Sequence, residues 1–243
     1  MNKKEFFYPG FDVRPTENPL GFRYGADCFG PQVEYRTIDD IRKSLMDPDS
    51  GGPQMVYAIA MDVGKTKDRE ILRKLQLLYG AVVYSAGSLG KEPIRSQGHI
   101  HIRSEFASGW STPEVYEIWQ GKAIIYMQEF SGDYPGRCIA VSGKAGDVIV
   151  VPPGWVHATI SADSSSPLTF GAWCVRNYGF EYDDIRKHRG IAWFPVFNDS
   201  GQIEWIRNAN YSSSTLNLVD AFPYPVLRIE QGKPIYTQFE EDN

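Results

Sequence analysis

The chain has 243 residues and a net charge of −5, with a pI near 5.4. This length fits one large β domain, or one domain with an arm. The acidic balance argues against nucleic acid or an anionic membrane as the main partner. Glycine (23), proline (16) and aromatic residues (14%) are plentiful, which favours many short strands and turns.

No run of about twenty apolar residues predicts a membrane span, and the first residues, MNKKEFFYPGFDVRP, lack the apolar core of a signal peptide. Cys28, Cys138 and Cys174 lie far apart and have no CxxC spacing, which indicates thiols in a reducing compartment. We therefore expect a cytoplasmic protein without a membrane or nucleic-acid partner.

The first 78 residues are predicted to form an arm and short helices that pack on the rest of the chain. Residues 1–33 have no clear period and are interpreted as an extended arm. Thr37 and Asp40 have the spacing of a capping box and predict a helix start. Residues 55–61 predict a strand, and residues 67–77 predict a second short helix.

Strand-like runs recur after residue 78 with turn signals between them, which is typical of an all-β sandwich or barrel and not of βαβ units. We place the barrel at residues 79–207 and a C-terminal extension at residues 208–243. Late in the barrel the sequence predicts a short helix at 183–189 and a hairpin between 191–198 and 203–206. The earlier runs are 79–86, 98–103, 114–120, 122–130, 137–141, 147–151, 156–161 and 168–175.

His99 and His101 are two residues apart in a predicted strand, so their side chains point to the same face. Two neutral imidazoles on one face suit a divalent metal ion such as Zn, Fe, Ni or Cu. The histidines alone are a weak signal, because two polar residues on a solvent-exposed strand face give this pattern more often.

Two further residues strengthen the metal hypothesis. Glu114 begins the next strand-like run, and His157 begins another after Pro152–Pro153 end a buried strand and Gly154 bends the chain. Separate elements thus supply His, His, Glu and His. His188, the fourth histidine, lies in the charged run KHR and is predicted to be solvated.

The stretches QGHIHIRSEFASGWSTPEVYEIWQGKAIIYMQ and GDVIVVPPGWVHATIS resemble the two conserved motifs of the cupin superfamily. More narrowly, they are similar to the cupin-type glucose-6-phosphate isomerases of archaea and some bacteria. The upstream segment FGPQVEYRTIDDIRKSLMDPDS resembles the N-terminal region of that family, so the resemblance covers roughly residues 29–200. It implies a double-stranded β-helix, that is, a jelly-roll barrel, with an N-terminal extension that contains short helices.

The resemblance also implies chemistry: interconversion of glucose 6-phosphate and fructose 6-phosphate by proton transfer through an enediolate, and a metal-assisted hydride shift would use the same residues. It implies one divalent transition metal ion per subunit, Fe2+, Mn2+, Ni2+ or Zn2+, with Glu114 as the acid/base and Tyr182 as a second catalytic residue. The implied metal ligands are His99, His101, Glu114 and His157, and the implied substrate-binding residues are Ser85, Ser96, Tyr116 and Gln128.

Several features depart from the family pattern. Residues 102–113 form a loop longer than is usual, and Cys174 and Phe180 stand where many members have a tyrosine and a histidine. No glycine-rich loop or paired arginines predict a phosphate cradle, and the candidate cations are Lys91, Arg95 and Arg103.

Other functions stay open because a fold does not determine function. Another metal cupin enzyme, a dioxygenase or a decarboxylase, would use the same ligands, and a non-catalytic cupin could bind a sugar without turnover. Exposed strand edges are often covered by a second subunit. We therefore expect a homodimer that acts on a small sugar phosphate.

Overall fold

A computed structural model describes residues 5–241 of the chain. Short strands dominate it, and the predicted all-β class is confirmed. The strands are β1 (Val13–Glu17), β2 (Leu20–Tyr24), β3 (Cys28–Phe29), β4 (Glu34–Thr37), β5 (Met55–Met61), β6 (Gly64–Lys65), β7 (Leu77–Tyr84), β8 (Ser88–Leu89), β9 (Glu92–Pro93), β10 (Ile100–His101), β11 (Arg103–Ser104), β12 (Trp110–Ser111), β13 (Glu114–Gln120), β14 (Lys122–Gln128), β15 (Cys138–Lys144), β16 (Val148–Val151), β17 (Val156–Ser161), β18 (Leu168–Val175), β19 (Phe180–Glu181), β20 (Trp193–Phe197), β21 (Ile203–Arg207) and β22 (Leu216–Asp220).

The helices are short. They are α1 (Ile38–Ile41), α2 (Arg69–Lys74), α3 (Asp183–Lys187) and α4 (Ile235–Glu241), with 3-10 turns at Arg42–Ser44, Thr66–Asp68, Glu105–Ala107 and Pro225–Leu227. The capping box predicted at Thr37 is confirmed: Asp40 N donates to Thr37 Oγ1 at 3.4 Å, and Thr37 N donates to Asp40 Oδ2 at 2.8 Å. Within residues 5–241, every helix is too short or too polar to cross a membrane.

Two sheets face each other across the main core. The larger has the strand order β16-β13-β18-β7-β5-β4, and the smaller has the order β17-β14-β15-β22. Tyr84, Ile118 and Phe170 from the larger sheet meet Ile125 and Val141 from the smaller one in a single apolar cluster. The space between the sheets is therefore a packed interior, and we call the face of each sheet that lines it the inner face.

The segment predicted as an arm with short helices contributes two strands to the larger sheet, and the strand predicted at residues 55–61 is confirmed as β5. β4 and β5 extend this sheet beside β7, and β7 begins at Leu77, so the predicted boundary at residue 78 falls inside a strand. The reason is that β5 is apolar on both faces, with Val56, Tyr57 and Ala58 all buried, and such a strand has to be covered on both sides. Residues 13–24 form the β1–β2 hairpin instead of an irregular arm.

The predicted C-terminal extension also joins the fold. β22 pairs in parallel with β15 at the edge of the smaller sheet, and α4 packs on the outer face of the larger sheet. On that outer face Tyr79, Trp119 and Tyr236 form a cluster of buried rings. Because side chains alternate along β13, Tyr116 and Ile118 face the interior while Trp119 faces this outer cluster. The first four and last two residues of the predicted extensions lie outside the described residues.

Candidate metal centre

The predicted ligands His99, His101, Glu114 and His157 come together at one end of the interior. Each offers one ligand atom, and these atoms all lie within 4.8 Å of one another. The backbone produces this meeting: His99 N donates to His157 O at 3.1 Å, and His157 N donates to His99 O at 2.9 Å. Glu114 is the first residue of β13, and its Oε2 lies 3.1 Å from His157 Nε2.

Glycines on both sides of this bridge allow the close approach. Gly98 has a φ of +91°, and a Cβ there would lie 2.7 Å from Ile191 Cγ2. Gly154 has a φ of +79° and turns the chain between the end of β16 and the start of β17. A side chain would strain the backbone at either position, so these glycines help to place His99 and His157.

Backbone carbonyls orient two of the imidazoles. His101 Nδ1 lies 3.0 Å from Thr112 O, and His157 Nδ1 lies 3.2 Å from Trp155 O. With Nδ1 donating to a carbonyl, the lone pair of each ring is on Nε2, which faces Glu114 Oε2 at 3.4 Å for His101 and 3.1 Å for His157. Lone pairs that converge in this way suit a bound cation.

His99 provides an independent indication. Its Nε2 is buried and has no hydrogen-bond partner within residues 5–241. A buried polar atom without a partner is unusual in a folded protein, and a metal ion would satisfy it. Three imidazoles and a carboxylate form a donor set that fits a divalent transition metal ion. The residues could hold such an ion, and their identities do not select one metal.

The charges in the cluster are strongly coupled. Burial lowers the pKa of His99 well below its ordinary value, which keeps this ring in the neutral form that binds metals. Burial raises the pKa of Glu114, but the adjacent imidazoles of His101 and His157 outweigh it and hold that pKa well below its ordinary value. Burial lowers the pKa of His101, whereas the adjacent carboxylate of Glu114 leaves it raised.

The two oxygens of Glu114 have different surroundings. Oε2 accepts a hydrogen bond from the Tyr116 hydroxyl at 2.8 Å and faces both imidazoles described above. Oε1 receives no hydrogen bond from any residue between 5 and 241, and 14% of the side chain is exposed. One oxygen is therefore held in place, while the other is available to a ligand. Tyr116, predicted to reach the interior, lies there and is in direct contact with the cluster.

The other predicted substrate residues are distributed differently. Ser96 is buried and its Oγ accepts from Thr159 N at 3.1 Å, close to the cluster but already bonded. Ser85 Oγ donates to Met55 O at 2.6 Å, outside the cluster. The expectation that Gln128 lines the cavity is wrong. Met127 is the register partner of His157 and shares its face, so Gln128 points to the opposite side and binds Phe130 O and Ala192 N.

Tyr182 lies at the rim of the cluster. It precedes α3, and its ring centroid is 6.0 Å from that of His99. The ring centroid of Phe180 lies 4.5 Å from that of His99 and 5.6 Å from that of His101. Phe180 thus supplies an apolar wall beside two of the predicted ligands.

Two sequence interpretations outside the ligand set need correction. Arg95, a candidate phosphate donor, is fully buried: it pairs with Glu92 at 2.7 Å and donates to the carbonyls of Ser44 and Ser96. His188, predicted to be solvated, is buried against the ring of Tyr211 and binds Asp133 Oδ1 at 2.9 Å. Glu92, three residues before Arg95, pairs with that arginine inside the protein. Asp133 and Tyr211, both distant in sequence, bury His188.

Sequence reasoning also missed the group that orients His101. Thr112 contributes both its carbonyl and its Oγ1, each 3.0 Å from His101 Nδ1. The only sequence signal was Pro113, which favours an extended Thr112 and so helps to aim its carbonyl. The long 102–113 loop is therefore attached to a metal-site histidine and is not only a covering segment.

Comparison with known proteins agrees with this geometry. The profile of a family described as glucose-6-phosphate isomerase (GPI) matches residues 45–214, which is more than half of the chain. The chain belongs to the glucose-6-phosphate isomerase family. The matched range contains all four residues of the candidate metal centre.

Curated relatives carry the same name. Glucose-6-phosphate isomerase of Thermococcus gammatolerans is 26% identical over 58% of this chain and 67% of its own. That of Pyrococcus abyssi is 28% identical over 56% of this chain and 66% of its own, and that of Thermococcus onnurineus is 27% identical over 65% and 72%. The alignments therefore span about two thirds of the relatives' length. The predicted resemblance to the cupin-type glucose-6-phosphate isomerases is confirmed.

Solved structures with some likeness include hazelnut vicilin and an oxalate decarboxylase variant of Bacillus subtilis. Vicilin has a TM-score of 0.39 and 15% identity, and covers 54% of this chain and 33% of its own. The decarboxylase has a TM-score of 0.35 and 15% identity, and covers 52% of this chain and 27% of its own. Likeness at this level carries no conclusion about activity.

Proposed function

We propose that this chain is a metal-dependent aldose–ketose isomerase that interconverts glucose 6-phosphate and fructose 6-phosphate. The observation that supports it most directly is a carboxylate with one restrained and one available oxygen inside a cluster of three imidazoles. Membership of the glucose-6-phosphate isomerase family supplies the substrate.

The reaction moves a proton between C1 and C2 of the sugar, and its barrier is the weak acidity of a C–H bond next to a carbonyl. A divalent metal ion held by the cluster would supply positive charge where negative charge develops on the substrate oxygens. Glu114 removes the proton from one carbon to give the enediolate and returns it to the other carbon. Oε1 is suited to this role because no described residue binds it.

Tyr116 and Phe180 support the proton transfer without taking the proton. The Tyr116 hydroxyl donates to Glu114 Oε2 and so keeps the carboxylate from rotating. The Phe180 ring covers the edges of His99 and His101 and reduces the access of water to the imidazoles. A fixed carboxylate in a partly dry site needs little reorganisation during the reaction.

The test is turnover of fructose 6-phosphate to glucose 6-phosphate by protein stripped with a chelator, before and after single metals are returned. Activity restored by a divalent metal is expected, with one deuterium incorporated from D2O because a carboxylate exchanges its proton with solvent. Inactivity with every metal, or oxygen consumption or CO2 release from a carboxylic acid instead, would contradict the proposal.

Substitution of Glu114 tests the assigned base. Glu114→Gln keeps the shape of the side chain but cannot accept the proton, so kcat is expected to fall by about 100-fold or more. Bound metal is measured alongside, since Glu114 is also a proposed ligand. Glu105→Gln, an exposed change in the 102–113 loop, serves as the matched control. A metal-loaded Glu114→Gln protein with near-normal kcat would exclude Glu114 as the base.

A further inference from the structure

Arg36 has an unusual position in the larger sheet. Among the six strands of this sheet, all of them within the described residues, it is the only lysine or arginine. The other charged residues of this sheet are acidic, so Arg36 is a single positive charge. We therefore ask where Arg36 lies relative to the candidate metal centre.

The strand register places Arg36 on the inner face. Arg36 lies beside Tyr57, and Tyr57 lies beside Tyr84, which belongs to the interior cluster. Residues opposite one another in neighbouring strands share a face, so Arg36 points to the side on which Glu114 and Tyr116 lie. The half-buried Ile59 and Val82 between them show that this part of the inner face is not fully packed.

Tyr182 links Arg36 to the metal centre. Its ring lies 6.0 Å from His99, and the guanidinium carbon of Arg186 lies 5.0 Å above it. Burial raises the pKa of Tyr182, while the positive charges of Arg36 and Arg186 oppose that shift. Both guanidinium groups therefore act on one ring at the rim of the cluster, and the Arg186 group lies against it.

The hydrogen bonds that Arg36 makes within its own strand are weak enough to exchange. Nη1 donates to the Tyr35 carbonyl at 3.1 Å, and Nη2 donates to Glu34 Oε2 at 3.3 Å. The Glu34 side chain is 63% exposed, and exposed ion pairs contribute little to stability. A dianionic phosphate group could replace Glu34 and accept two parallel hydrogen bonds from the guanidinium group.

Other cations are less suited to this role. Arg95 is buried and occupied by Glu92, and Arg137 donates to Glu129 through both Nε and Nη2. Lys122 lies five residues before Met127, the register partner of His157, so its side chain points to the opposite face of β14.

We propose that Arg36 binds the phosphate group of the sugar-phosphate substrate, with Arg186 as a second donor across the ring of Tyr182. This assignment rests on the function proposed above and adds the specificity determinant that the sequence did not provide. The reacting end of the sugar then lies at Glu114, and the phosphate end lies at the rim formed by β4 and α3.

The expected effect is on binding more than on chemistry, because the phosphate is remote from the reacting carbons. Arg36→Met should raise the KM for fructose 6-phosphate by about 10- to 100-fold, the loss typical of a charge-assisted hydrogen bond, and change kcat much less. Arg36→Lys should restore part of the affinity. Glu34→Gln, which removes the competing carboxylate, should lower the KM.

Arg23→Met is the matched control, since Arg23 is an exposed arginine of the neighbouring β1–β2 hairpin. All variants are compared in the metal-loaded form, and their melting temperatures are measured to confirm that they fold. A KM for Arg36→Met within two-fold of the wild type, or an unchanged KM for Glu34→Gln, would overturn the assignment.

Calorimetric titration with fructose 6-phosphate separates this proposal from the proposed function. If wild-type protein binds the sugar phosphate but does not turn it over, the isomerase proposal fails. Weaker binding by Arg36→Met then still supports the phosphate site. Equal binding by the two proteins, or binding by neither, overturns the phosphate site whether or not turnover is observed.

Discussion

The buried carboxyl of Glu117 should make the free energy of unfolding depend on pH. It faces the outer cluster from β13 and is fully buried; its Oε1 accepts from Ile235 N at 2.7 Å and its Oε2 from Trp119 Nε1 at 3.1 Å. Burial raises the pKa of this carboxyl from 4.5 to about 7, although the hydrogen bonds oppose the shift. The carboxyl thus fastens the first residue of α4 to the larger sheet.

The raised pKa makes stability depend on pH in a defined direction. The folded protein holds this proton more tightly than the unfolded chain does, so its contribution is complete below pH 4.5 and is lost as the pH rises to about 7. A shift of this size corresponds to about 3 kcal/mol of the free energy of unfolding. Glu117→Gln is neutral at every pH and should lack this loss, apart from a constant cost of about 1 kcal/mol for one weakened hydrogen bond.

The assay is urea unfolding of metal-free wild-type protein and Glu117→Gln at pH 5 and at pH 8. All other titrating groups are shared, so the difference between the two pH dependences isolates Glu117. We expect the wild type to lose about 2–3 kcal/mol more than the variant over this range. Equal losses for the two proteins would refute the reasoning, because they would mean that the carboxyl is not protonated in the folded state.

Two further predictions concern the site and the assembly. Tyr116→Phe removes the hydroxyl that holds Glu114 Oε2, so kcat should fall by about 5- to 10-fold with metal content unchanged, and an unchanged kcat would contradict that restraint. Among the described strands β22 pairs only with β15, and its Leu218 is 64% exposed, so we expect a homodimer. A monomer mass by light scattering would exclude it.

The ligand set could be predicted because it depends on short-range rules. His99 and His101 share a face through strand alternation, and Gly154 after two prolines marks the turn that presents His157. Glu114 stands at a strand start, and the resemblance to the cupin motifs implied its role as a ligand. Each of these signals lies within a few residues of the ligand it places. Pairing between strands then brings the ligands together.

Predictions failed where the deciding contact was distant or the pattern had no period. β14 is buried on both faces apart from Lys122, so its sequence does not indicate whether Met127 or Gln128 points inward. The KHR run appears charged in sequence, but Asp133 and Tyr211 from distant segments bury His188. The placement of Arg36 on the inner face follows only from the register of β4 against β5, and no local sequence pattern specifies that register.

The order of side chains along β13 explains how Glu114 is held in position. Its inward side chains change from the carboxylate of Glu114 to the hydroxyl of Tyr116 and then to Ile118, which packs in the apolar core shared by both sheets. A close-packed core resists displacement, so the strand that begins at Glu114 is fixed from its apolar end. The site can therefore keep one carboxylate oxygen available to substrate, because the restraint on the other comes from the strand below it and not from the substrate.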